Sequence, residues 1–236
     1  MDSGNFAKLN RMARTKLIIY GNGKMASLFL FFASTEFEVV AFTVDQELMI
    51  APTLESLPVI PFHEIANRFP PKNHTMITAV GYVEMNQVRR QKHLEAKAMG
   101  YRFSSYVHPS VVRHANVEIG ANTVVLDHVA IHPYSSLGEG VFVCSNASFG
   151  HGCHLEDYCW VNSGVSVGGE TTVGRGSFLG INATLADNIH LGEHCYVGAN
   201  TLVTGNTQAN EVLISASAEK FPLDSTAFLR FIERRS

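Results

Sequence analysis

The chain has 236 residues, 46% of them apolar and 17% charged, and a formal net charge of -3. It has enough apolar residues to bury a core, and its near-neutral balance gives no electrostatic reason to expect nucleic acid or an anionic membrane surface as a partner. No apolar run reaches the ~18 residues a membrane span requires. The opening MDSGNFAKLNRMARTK has no apolar signal core, and four cysteines in a chain of this size do not make a disulfide framework. The expected compartment is the cytoplasm.

Residues 15–100 read as alternating strand and helix. KLIIYG, FEVVAFTVD and TMITAVG are strand runs, whereas KMASLFLFFAST, PFHEIANRF and NQVRRQKHLEAKAMG are helical, the last ended by Gly100. The alternation predicts a small, Rossmann-like parallel α/β sheet of about three strands. The first strand-to-helix junction, GNGKMA, fits G-x-G-x-x-A. Gly21 and Gly23 shape the turn, Lys24 and Met25 open the helix, and the amides at its N-terminus face a diphosphate. Asp45 stands about 20 residues on, at the end of the second strand, where a carboxylate bonds a ribose hydroxyl. A nicotinamide-dependent oxidoreductase shares this pattern but needs a larger sheet with a second nucleotide-binding half. Asn86, Arg89 and Arg90 enter the third helix, at the nucleotide or on a solvated helix face.

From residue 101 the pattern changes to a strict six-residue period. Counting in sixes from Tyr101, aliphatic or aromatic anchors recur to Val203, and only Arg113 breaks the series. Two residues before each anchor stands a small or β-branched residue, and three residues after it Asn or Gly recurs, the types that tolerate a positive φ at a corner. This pattern predicts an all-β parallel β-helix over residues 101–212. Three hexapeptides make one triangular coil, so residues 18 apart stack about 4.8 Å from each other. Residues 213–236 form a C-terminal cap, in which STAFLRFIERR is an amphipathic helix suited to closing the last coil.

The stretch SNASFGHGCHLEDYCW, residues 145–160, is dense in reactive side chains. The period explains most of them. Cys153 and Cys159 occupy the small inward position, as does Cys195. His151 stacks against Pro133 and Gly169, and His154 against Ser136 and Thr172, so neither gains a second ligand and no metal site is expected. His151, two residues after an anchor, lies at a coil corner. It is either a base of the kind acyl transfer needs or a solvated corner histidine.

With IIYGNGKMA at 18–26, SSYVHPSVV at 104–112 and the repeats, residues 15–220 resemble the sialic-acid O-acetyltransferase-like sugar acyltransferases. Within these the chain is similar to the bacterial N-acetyltransferases acting on nucleotide-linked 4-amino sugars. The resemblance implies left-handed coils, a sugar nucleotide on the N-terminal domain, acyl-CoA along the coils with acetyl-CoA as donor, and a homotrimer with sites between neighbouring subunits. It implies His151 as general base. Relatives usually follow that histidine with Asp or Glu. Here Gly152 follows, and Glu170, 18 residues after Gly152, is the candidate substitute. Trp160 stands where relatives carry a histidine that contacts acyl-CoA; its ring nitrogen only donates, so it is expected as an apolar wall of the pantetheine channel or as an aromatic supporting the trimer. Gly169, Ile181 in GINATL and Ala199 in VGANTL correspond to positions that touch acyl-CoA. Relatives carry Gly-His where Lys24 and Met25 stand, and a proline-containing segment where SASAEK stands. The implied activity is N-acetylation of a nucleotide-linked amino sugar. The alternatives are O-acetylation of sialic acid or another sugar hydroxyl, and a non-enzymatic binding protein, which Gly152 and Trp160 motivate.

Overall fold

A computed structural model of the chain describes residues 14–233. The first thirteen residues, most of the stretch read above for a signal core, lie outside the described residues, as do Arg234 and Arg235 of the C-terminal helix pattern.

The N-terminal part is an α/β sheet. Its elements are β1 (Lys16–Tyr20), α1 (Lys24–Ala33), β2 (Glu38–Val44), β3 (Thr53–Leu54), β4 (Leu57–Pro61), α2 (Ile65–Arg68), β5 (Thr75–Thr78), α3 (Gln87–Ala98) and β6 (Arg102–Phe103). The strand order is β3-β4-β2-β1-β5-β6, parallel except for the β3–β4 hairpin. The sheet is thus wider than the three strands read from sequence. The short LPVIP run of β4 and the two-residue β6 carry too little periodicity to stand out from loop. The six-residue series starts in sequence at Tyr101, but Tyr101 packs in the α/β core with Ile18 and Met76, and its hydroxyl donates to Phe69 O at 2.6 Å.

From Tyr106 the chain winds as a left-handed parallel β-helix with three flat faces. Strand pairs recur every 18 residues, for example Phe142↔Trp160 and Trp160↔Phe178. The anchors and the small inward positions, Cys153, Cys159 and Cys195 among them, fill one continuous core. Each fully buried aliphatic anchor contributes roughly 1.5–3 kcal/mol.

The three faces differ in what they turn outward. The second face presents small or polar residues, Ala130, Ser148, Ser166 and Thr184, between exposed Val112 and Leu202 at its two ends, and the third presents Glu118, Ser136, His154, Thr172 and His190. The first face instead carries Tyr106, Val124, Phe142, Trp160, Phe178 and Tyr196, which join Ala26 and Phe29 of α1 in one apolar cluster. Phe142 and Trp160 stack with ring centres 4.4 Å apart and Phe178 and Tyr196 at 4.6 Å, close to the coil repeat. The α/β domain therefore sits on the first face. At the far end, α4 (Ser225–Glu233) buries none of its residues, and Ile214, Phe221 and Leu229 stay exposed, so its apolar face does not close the last coil. No helix of the described residues is long and apolar enough to cross a membrane.

Candidate active site at a coil corner

The corner between the second and third faces brings together four of the residues singled out from sequence. His151 projects from it, with its side chain 66% exposed. One coil on, Glu170 takes a left-handed φ of 57° and Glu170 N donates to His151 O at 2.8 Å. This places Glu170 Oε1 3.6 Å from His151 Nε2, an ion-pair distance longer than a hydrogen bond. Gly152 makes the approach possible, because a Cβ there would lie 2.5 Å from Glu170 Oε1. The imidazole lies over Gly169, where a Cβ would stand 2.7 Å from His151 Cε1. Among the described residues the Gly169 N–H has no hydrogen-bond partner. The corner thus offers an exposed imidazole, an adjacent carboxylate, a floor without side chains and a backbone donor.

Burial holds three of the four thiols protonated, and the fourth, Cys195, is enclosed in the coil core. Burial pushes Cys159 up to about 12 and raises Cys153, which donates to Gly168 O at 3.0 Å. Burial likewise pushes Cys144 up to about 11.

Ile181 and Ala199 lie elsewhere. They stack on each other at the corner between the first and second faces, joined by Asn200 N donating to Ile181 O at 2.9 Å, and both are exposed. Within one chain the full width of the second face separates them from His151.

Trp160 does not wall an exposed channel, nor is it free to face a neighbouring subunit. It is 2% exposed, beneath Tyr82 and against Phe142, with the Arg89 guanidinium carbon 5.2 Å from its ring centre. The reason is its phase. It points outward on the first face, the face covered by the chain's own α/β domain.

The glycine turn lies at the N-terminus of α1. Gly21 has φ +132°, and a Cβ there would lie 2.8 Å from Ala79 O. Gly23 starts α1 with no side-chain cap and no acidic residue in the first turn, so the positive end of the helix faces outward. Lys24 is exposed beside it, whereas Met25 turns into the apolar seam between the domains. Asn22 ties this turn to the loop after β2 by donating to Leu48 O at 2.8 Å. Asp45 sits at the end of β2 beside a cleft of about 500 Å³ lined also by Gln46, Glu47, Phe62 and His63. Its carboxylate receives Lys92 Nζ at 2.8 and 3.0 Å. Lys92 also bonds Glu95 at 2.8 Å. Burial lowers the Lys92 pKa, but the bonds to Asp45 and Glu95 outweigh it and raise it.

Asn86 and Arg89 do not lie on a solvated helix face. Both are buried at the first turn of α3. Arg89 donates to Tyr158 O at 2.8 Å and Cys159 O at 3.2 Å, and Asn86 to Gly176 O at 2.9 Å. Burial pulls the Arg89 guanidinium down to about 10, so it stays charged at neutral pH. These side chains, with His93 and Tyr158 OH at 3.0 Å, fasten the α/β domain to the coils. The signal missed in sequence is the residue just before every third anchor. Tyr106, Val124, Phe142, Trp160, Phe178 and Tyr196 form an apolar column at spacing 18, which marks a covered face.

Residues 170–205 match the family model described as bacterial transferase hexapeptide (six repeats). No curated protein matches the sequence. Among solved structures, the chain is similar to the acetyltransferase domain of PglB from Neisseria gonorrhoeae FA1090, determined in complex with acetyl coenzyme A. The two are 22% identical, with a TM-score of 0.77 over 88% of this chain and 100% of that one. It is also similar to PerB from Caulobacter crescentus, determined in complex with CoA and GDP-perosamine, with 22% identity and a TM-score of 0.64 over 86% of this chain and 96% of that one. WeeI from Acinetobacter baumannii AYE shows 16% identity and a TM-score of 0.61 over 87% of this chain and 99% of that one. The chain therefore has their fold, an α/β sheet seated on a hexapeptide-repeat β-helix.

Proposed function

We propose that the protein is an acyl-CoA-dependent N-acyltransferase, with acetyl-CoA as donor, that acts on the amine of a nucleotide-linked amino sugar. The observation that carries this reading is the exposed imidazole of His151 on a glycine floor. Acetyl coenzyme A in the PglB domain and CoA with GDP-perosamine in PerB, on the same fold, support the choice of substrates.

In this reading the sugar amine attacks the thioester carbonyl carbon and passes a proton to His151. In the same reading a backbone amide at the corner, that of Gly169, donates to the developing oxyanion. The intermediate then collapses with cleavage of the C–S bond, the imidazolium returns its proton to the leaving sulfur, and the products are the N-acyl sugar and CoA thiol. Glu170 takes the part of the acid that Gly152 does not supply. The diphosphate lies at Gly21, Gly23 and Lys24, and Asp45 reaches the ribose. Gly169, Ile181 and Ala199 line the path of acyl-CoA.

The α/β domain covers the first face, and His151 lies at the opposite corner of the triangle. A sugar held by one chain's α/β domain then reaches His151 of a neighbouring copy, which supports a homotrimer with shared sites. Cytoplasmic location fits both substrates.

The test is His151→Asn, assayed with acetyl-CoA and UDP-, GDP- and dTDP-linked amino sugars. The expected loss in kcat is about 10²–10⁴-fold, with acetyl-CoA binding kept. Near-normal kcat in the variant removes the base from the reading, and absence of acetyl-CoA binding by calorimetry removes the transferase.

A further inference from the structure

We infer that the exposed ring of Tyr82, with Val83 beside it, is the platform on which the sugar of the nucleotide-linked substrate lies. This inference rests on the proposed substrate class and adds to it the residue that takes the sugar.

The sheet topology places this loop. In the order β3-β4-β2-β1-β5-β6 the chain runs outward from β1 to β2 and β4, then returns to β5 on the other side of β1. The helices flanking that reversal lie on opposite faces of the sheet. Ala26 and Phe29 of α1 pack with Leu17 and Ile19, and Ala96 of α3 packs with Ile18 and Tyr20. Such a reversal opens a crevice outside the carboxyl ends of the strands, where open α/β sheets bind their ligands. One wall is the glycine turn after β1. The other is residues 79–86 after β5, joined to the first by Ala79 N donating to Tyr20 O at 2.8 Å and by the close approach of Ala79 O to Gly21. A sugar nucleotide with its ribose at Asp45, at the end of β2, and its diphosphate at the end of β1 has its sugar next in line, at the end of β5.

The loop presents an aromatic ring at that place. Tyr82 is 48% exposed and Val83 53%. The Tyr82 ring rests on Phe178, with ring centres 4.4 Å apart, and on Trp160, at 5.7 Å, so it carries the aromatic column of the first face outward from the coils. The backbone that holds it is costly. Glu84, Met85 and Asn86 follow with φ of 49°, 49° and 68°, three successive non-glycine residues in the left-handed region. Residues other than Gly, Asn and Asp avoid that region, and such strain persists only where the surroundings enforce it. Here Met85 packs into the seam between the domains, and Asn86 donates to Gly176 O at 2.9 Å, which anchors the turn on the coils. A ring fixed in this way loses little freedom when a ligand lies on it. A pyranose offers it a face of C–H bonds, while the sugar hydroxyls and amine stay at the rim. An uncharged ring adds nothing for the diphosphate, so its contribution is specific to the sugar.

The test is calorimetric binding to the intact protein of UDP-, GDP- and dTDP-linked amino sugars, each beside its nucleoside diphosphate without the sugar. Tyr82→Ala is expected to weaken the sugar nucleotide about tenfold and to leave the matching diphosphate and acetyl-CoA bound as in wild type, with the mass of the assembly unchanged. Tyr82→Leu, which keeps the packing on Phe178 but removes the aromatic face, is expected to show the same selective loss, and it decides the matter if the alanine variant fails to fold. Tyr82→Phe, which keeps the ring, is expected to restore the affinity. Loss of sugar nucleotide and diphosphate in equal measure by a folded variant, or loss of neither, overturns the inference and leaves the proposed substrate class standing. An assembly that falls apart in Tyr82→Leu assigns the ring to contact between copies and also overturns it. If wild type binds none of the sugar nucleotides, the inference and the substrate class fall together.

Discussion

His93 on α3 is 1% exposed, accepts or donates one bond with Tyr158 OH at 3.0 Å, and packs on Phe103. Burial pulls its pKa down to about 4, against a smaller opposing pull from Glu139; Lys97 lowers it further and Asp157 raises it. The folded chain therefore keeps His93 neutral while the unfolded chain protonates it near pH 6.5. Below that pH the unfolded state binds the extra proton, so stability falls as pH drops from about 6.5 to about 4, by up to roughly 3 kcal/mol. The expected outcome is a denaturation midpoint that declines across this window in wild type and declines less in His93→Gln. Equal slopes would contradict it. The same scale shows how unevenly residues can be read. Phase alone puts His151 at an outward corner, because a repeat fixes which positions face out, whereas its role as base is implied only by the resemblance. Arg89 gives no such signal, since a guanidinium at a helix start looks solvated until the face it docks on is known.

At the scale of elements, the corner positions set what the coils tolerate. Tyr158 adopts φ 60° at one corner, and its ring leans over Gly140, which has φ 64°. A Cβ at 140 would lie 2.6 Å from that ring. Gly140→Ala is expected to cost about 1–2 kcal/mol from the left-handed backbone alone, and more because the ring must leave its bond with His93. Urea denaturation checks this, and an unchanged midpoint would refute the column geometry. The β-helix was legible because inward and corner positions repeat every six residues with little variation. The first face was equally encoded, at period 18, one residue before the anchors. Trp160 was misplaced because its role was taken from a resemblance at a single position rather than from that column. β4 and β6 escaped for a different reason: strands of five and two residues have too few alternations to differ from loop.

For the whole molecule, the arrangement of face and corner makes a prediction about copies. If the sugar nucleotide is held on one chain and His151 is supplied by the next, two defective chains should repair each other. His151→Asn removes the base, and Lys24→Glu places a negative charge where the diphosphate is expected. Each alone should be inactive, and mixed assemblies refolded together should recover part of the activity. No recovery, with mixed assemblies confirmed by mass, would place both halves of the site on one chain.

The sequence by itself determined the β-helix, its core, the α/β half with its glycine turn, and the corner on which His151 stands. Each follows from short-range rules: the period of side chains along a strand, the residues that accept a left-handed corner, and the punctuation of strand and helix. Only the tertiary structure decided which face the α/β domain covers, that Arg89, Asn86 and Trp160 lie inside that seam, and that Lys92 holds Asp45. It also decided that Glu170 stands beside His151, over Gly152. These depend on contacts between residues far apart in the chain, whose directions are set by packing between elements rather than by the pattern within any one of them.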